Sequence, residues 1–189
     1  HYAGGHFEVA GAPIQHAADP LALTLVCAVL KGERFDWLVE KAAELGVAAI
    51  QPIQTEHCVA RASGPGAADK QRRWQAVATE AFEQCGRPWL TRVEPPLTFD
   101  RWLAARDPLV ALAVCDERLP PRHLGAWINA LPACQGPRAV QVVIGPEGGL
   151  SDAERLALDS VCATRGWLAK SVLRAETAAV AAAVIALGP

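Results

Sequence analysis

Ile144-Gly-Pro-Glu-Gly-Gly-Leu-Ser-Asp-Ala-Glu154 gathers residue types that let a backbone touch a small ligand. An apolar run, Ala139 to Ile144, precedes it and reads as a buried strand. Ser151 with Glu154 three residues on has the form of a capping box, so a helix should start there. A glycine-rich turn between a strand end and a helix start is where open α/β sheets bind nucleotide-like ligands. Gly145, Gly148 and Gly149 would leave the backbone bare for such contact, although a plain tight turn would use the same glycines. Glu147 either orients a ligand or stands where a helix macrodipole favours a carboxylate.

A second reactive pair lies near the C-terminus. Val172-Leu-Arg-Ala-Glu-Thr-Ala178 precedes a run of alanine, valine, isoleucine and leucine. Arg174 and Glu176 flank the start of the helix expected there, a cation for an anion and a carboxylate for a proton. Two further motifs stand upstream, Lys31-Gly-Glu-Arg-Phe-Asp-Trp-Leu-Val-Glu-Lys-Ala-Ala-Glu-Leu-Gly-Val47 and Glu80-Ala-Phe-Glu-Gln-Cys-Gly-Arg87.

With these four motifs in this order, the chain resembles the RsmE-type methyltransferases over roughly residues 21 to 189. The resemblance implies the SPOUT superfamily, a parallel-sheet α/β fold with a C-terminal trefoil knot that binds S-adenosyl-L-methionine. The activity it implies is methylation of a uridine at N3 in 16S, small-subunit ribosomal RNA. Ile144, Gly145, Pro146, Glu147, Gly148, Gly149, Leu150, Leu173 and Thr177 would then contact the cofactor. Arg174 would hold RNA phosphate or stabilise the uridine anion. Glu176 would act as the base, or else cap the helix and pair with an arginine. Lys31, Arg34, Gln84 and Arg87 would face RNA, as free RNA or an assembled subunit. SPOUT enzymes are typically dimers, and the almost wholly apolar last helix suits a homodimer interface. Two rivals remain: a SPOUT enzyme methylating ribose 2′-oxygen, and a ribosome-assembly factor that binds RNA without turnover.

The chain departs from the family pattern at one place. A Leu-Gly-x-Arg stretch should stand just before Val-Leu-Arg, yet Lys170-Ser171 runs straight into Val172. Either Leu168-Ala169-Lys170-Ser171 is a degenerate form of it, or about four residues of a mobile loop are missing after Ser171. The second alignment is preferred here.

Bulk properties set limits on these readings. A chain of 189 residues has room for one good core and a small appendage. Net charge is −2, so any RNA site must be a local basic patch. Six scattered cysteines show neither paired spacing nor histidine partners, which points to reduced thiols in the cytoplasm and no metal. No apolar run is long enough to cross a membrane as a helix; Ala178 to Leu187 is the nearest candidate. Residues 1–17, with Tyr2, Phe7, Val9 and Ile14 among glycines, are expected to be the remnant of an N-terminal PUA-like RNA-binding β-barrel and its linker. Residues 18–189 would form the methyltransferase domain.

The positioning elements follow from periodicity. Strands are expected at Leu21 to Leu30, Val47 to Ile53, Leu109 to Cys115 and Ala139 to Ile144, with one ending at Val172-Leu173. Helices are expected at Phe35 to Leu45, Asp69 to Cys85, Leu124 to Leu131, Ala153 to Thr164 and Ala175 to Leu187. Such alternation implies a doubly wound parallel sheet covered on both faces.

Overall fold

The computed structural model describes residues 2–3, 6–7, 19–61, 64–116, 122–133, 136–161 and 163–188. Tyr2–Ala3 (β1) pairs antiparallel with His6–Phe7 (β2). Most of the expected barrel remnant, including Val9 and Ile14, lies outside the described residues.

The remaining strands are Leu21–Ala28 (β3), Ala49–Gln54 (β4), Arg92–Val93 (β5), Leu97–Thr98 (β6), Ala111–Cys115 (β7), Arg122–His123 (β8), Arg138–Ile144 (β9) and Thr164–Trp167 (β10). They form one sheet in the order β5-β4-β3-β9-β7-β10-β8, with β6 beside β4. Every pairing in it is parallel. The helices are Arg34–Leu45 (α1), Ala67–Cys85 (α2), Phe99–Ala105 (α3), Leu124–Asn129 (α4), Asp152–Ser160 (α5) and Ala175–Leu187 (α6).

Period-two alternation along the central strands feeds two separate cores. Leu23, Leu25, Cys27, Val140, Val142 and Ile144 face one side, against Phe35, Leu38 and Ala42 of α1, Trp74 and Ala78 of α2, Leu124 and Ile128 of α4, and Ala179, Ala182 and Ala183 of α6. Val26, Val114 and Val143 face the other, against Phe99 and Trp102 of α3 and Leu158 of α5. The result is three layers, helix–sheet–helix.

The central elements fall where periodicity places them, and Gly46 closes α1 in the left-handed region as expected. The C-terminal third differs. Helix α5 ends at Ser160, and Thr164 belongs to β10, a strand with no alternating pattern. Its strand character comes from insertion between β7 and β8. Val172 and Leu173 end no strand; they sit in an irregular segment leading into α6. Leu168 to Arg174 form an irregular connection between β10 and α6.

Candidate functional site

The carboxyl ends of β7, β9 and β10 lie side by side, with Cys115 in register with Ile144 and Gly166 in register with Cys115. Above them opens a cavity of about 680 Å³. Its walls are Cys115 and Asp116 after β7, Ile144 to Leu150 at the end of β9, and Gly166 to Ala175 with Ala178 after β10. That volume suits a nucleoside-sized molecule, and ligands bind at this edge of an open parallel sheet.

Two glycines are needed by the turn itself. Gly149 adopts φ +71°, where any other residue is strained, and its N–H donates to the Pro146 carbonyl at 2.9 Å. A Cβ on Gly148 would stand 3.1 Å from His57 Cβ. His57 comes from the loop after β4, and its Nδ1 lies 3.2 and 3.1 Å from the Gly148 and Gly149 carbonyls. The imidazole must donate there, because carbonyl oxygens only accept. The bare backbone therefore accommodates a neighbouring loop as well as any ligand.

The helix after the turn is fixed by the expected capping box. Ser151 Oγ accepts from the Glu154 N–H, and Glu154 Oε2 accepts from the Ser151 N–H at 2.9 Å. Glu154 Oε1 accepts from the Glu56 N–H at 2.9 Å, which ties the β4 loop to the same helix end. Glu147 turns outward, where Arg34 Nη1 donates to its Oε1 at 2.7 Å. Burial pushes the Cys115 thiol up to about 12, so it meets the cavity as a neutral group.

Of the residues singled out by sequence, Ile144, Gly145, Pro146, Glu147, Gly148, Gly149, Leu150, Leu173 and Arg174 line this one cavity. Thr177 is exposed and lies outside the lining. Glu176 stands in the first turn of α6 between Ala175 and Ala178, both of which line the cavity. Its Oε2 is buried with no hydrogen-bond partner among the described residues, and no arginine pairs with it there. Arg34 reaches the cavity rim through Glu147, and Lys31 is exposed just before α1. Arg87 is elsewhere. It donates to the Leu45 carbonyl at 3.3 Å and to Asp19 at 3.1 Å, at the opposite end of α1 from Arg34. Twelve helical residues separate those ends by about 18 Å. Gln84 is exposed near that far end, on the last turn of α2.

Sequence reasoning missed Cys115, Asp116, Trp167 and Leu168. The usable signal was the rule that strand carboxyl ends converge, applied to β7 and β10 as well as β9. Asp116 is the most consequential omission, because it is a buried carboxylate in the cavity wall.

Comparison with known proteins identifies the family. The RNA methyltransferase domain family matches residues 17–187. The ribosomal RNA small subunit methyltransferase E of Synechocystis is 36% identical over 84% of this chain and 50% of its own length. The chain thus spans about half of that curated relative. The crystal structure of a ribosomal RNA small subunit methyltransferase E from Neisseria gonorrhoeae, bound to S-adenosyl methionine, superimposes with a TM-score of 0.75. It is 31% identical, and the match covers 88% of this chain and 65% of that one. The SpoU methyltransferase AviRb from Streptomyces viridochromogenes, at 18% identity, shares the fold with a TM-score of 0.52 over 90% of this chain and 60% of that one.

Proposed function

The chain belongs to the RNA methyltransferase domain family, and on that premise we propose that it methylates a uridine at N3 in 16S ribosomal RNA, using S-adenosyl-L-methionine. The observation carrying this reading is the convergence of the β9 turn and the Leu173-Arg174 segment on one cavity.

The residues present fit the cofactor. Ile144, Leu150 and Leu173 offer apolar wall, and the turn after Gly145 offers backbone groups. When bound, the cofactor supplies a methyl group already activated by its sulfonium. What remains for the protein is to hold the base, aim N3 and deal with its imide proton. Glu176 suits proton removal, since its buried Oε2 is committed to no other donor among the described residues. Arg174 is exposed at the N-cap of α6, where its charge can stabilise the uridine anion or hold phosphate. Uridine N3 lies on the Watson–Crick edge, so the base must be unpaired or flipped to enter. Lys31 and Arg34 supply cationic surface at the rim; Gln84 and Arg87 would serve a separate contact with RNA.

The same reading includes the knotted SPOUT topology. The chain runs from β7 out to β8 and back through α4 to β9, and β10 inserts between β7 and β8. The chain then returns to place α6 against α1, α4, β3 and β9, which supports a threaded path. It also includes a homodimer through α6. Val184 is about half exposed on a helix whose one charged side chain is Glu176. A cytoplasmic setting and an N-terminal RNA-binding barrel complete the proposal. No described helix is long and apolar enough to cross a membrane.

The test uses small subunits from cells lacking the activity, incubated with the protein and S-adenosyl-L-methionine. Nucleosides from the digested RNA are identified by mass, and 3-methyluridine is expected. A 2′-O-methylnucleoside instead would place the protein among ribose methylating enzymes. No methylation with RNA binding intact would leave an assembly factor.

A further inference from the structure

Asp116 and Arg155 form a buried ion pair directly behind the cavity. Arg155 Nε donates to Asp116 Oδ2 at 2.7 Å and its Nη2 to Oδ1 at 3.2 Å, a two-pronged grip. Their side chains retain 7% and 1% exposure, so both charges have left water. Burial of this kind persists only when hydrogen bonds compensate it. A third bond shows what the pair holds: Arg155 Nη1 donates to the Leu150 carbonyl. Leu150 closes the glycine turn, its side chain 3.3 Å from where a Gly145 Cβ would stand. One guanidinium thus bolts the end of β7 to the closing residue of the turn. Asp116 also lines the cavity, where a carboxylate without its cation would add a bare negative charge.

We infer that Arg155, held by Asp116, is a positioning residue that presets the Gly145–Leu150 turn for S-adenosyl-L-methionine. The inference rests on the cofactor reading above. Lysine keeps the charge but lacks the planar fork, so it cannot grip both carboxylate oxygens and the Leu150 carbonyl together.

The test measures S-adenosyl-L-methionine binding by calorimetry, well below the melting transition, for wild type, Arg155→Lys, Asp116→Asn and the remote control Arg92→Ala. Amide hydrogen exchange across residues 145–150 is followed in parallel. Both site variants should bind about tenfold more weakly or worse, with faster exchange in the turn, and the control should match wild type. Asp116→Asn keeps the side chain's shape, so it remains informative where Arg155→Lys folds poorly. Wild-type affinity and exchange in a folded site variant would overturn the inference. Failure of the wild-type protein to bind would instead overturn the cofactor reading itself.

Discussion

Arg34 Nη1 lies 2.7 Å from Glu147 Oε1, which joins the first residue of α1 to the turn after β9 across 113 positions of chain. Both side chains are partly exposed, so the pair adds at most about 1 kcal/mol to stability. An Arg34→Ala variant should therefore melt within about 4 °C of wild type. Its RNA affinity should fall, and the slope of log affinity against log salt should flatten by about 1 as one phosphate contact is lost. An unchanged slope would remove Arg34 from the RNA face and leave it as a brace for the turn.

Glu154 serves two backbone donors, Ser151 N–H and Glu56 N–H, whereas Ser151 Oγ serves one. Glu154→Ala should cost about 1–3 kcal/mol, because the buried Ser151 N–H and the partly buried Glu56 N–H both lose their acceptor. Ser151→Ala should cost nearer 1 kcal/mol. Urea denaturation of the two variants gives the ranking; equal losses would mean that the tie to Glu56 contributes nothing.

The Cys115 thiol is raised from 9.0 to about 12, and burial followed by the neighbouring Cys115 pushes Cys27 up as well. In the unfolded chain both ionise near their ordinary values. Between about pH 9 and 12 the unfolded state has shed protons that the folded state keeps, so stability falls as pH rises through that window. Below pH 9 both states hold the proton and the effect vanishes. Guanidinium melts at pH 8 and pH 10.5 should show a smaller loss for Cys115→Ala than for wild type. Identical losses would mean that the folded thiol ionises freely.

Arg174 is exposed, and α6 takes only its backbone as cap, the Arg174 carbonyl accepting from the Ala178 N–H at 2.8 Å. Arg174→Ala should change stability by no more than about 0.5 kcal/mol. Turnover should drop on the order of 10²-fold if the guanidinium stabilises the developing anion. Single-turnover methylation beside a thermal melt separates the two effects. Full activity would confine Arg174 to surface charge.

The sheet's centre was legible because β3 and β9 are mostly apolar, interrupted only by Thr24 in β3 and by Arg138 and Gln141 in β9. The glycine turn and its capping box were legible because local geometry dictates those residue types. Thr164-Arg165-Gly166-Trp167 carries no such signature; only the flanks offered by β7 and β8 make it a strand. The short β5 and β6 went unread because two-residue strands have no period to detect, and α3, at seven residues, completes barely two helical turns. Within the site, Gly145 to Leu150 was visible in sequence. Asp116 was not, because its significance depends on Arg155, thirty-nine positions away.

Leu21 is in register with Arg138, and Cys27 with Ile144, so the middle ladder joins the first long strand to the ninth. A chain emerging N-terminus first completes β3 long before its partner on that side exists. At 5–20 residues per second, the wait is on the order of ten seconds. During it the β3 backbone groups that face β9 lack partners on that edge, although β4 can already pair on the other and α1 can cover one face. Pairings of such long separation are slow to form and exposed to aggregation while they wait. The architecture that brings the strand ends together thus ties the nascent chain's exposure to aggregation to the pace of synthesis, and its yield should depend on how quickly the C-terminal half is delivered.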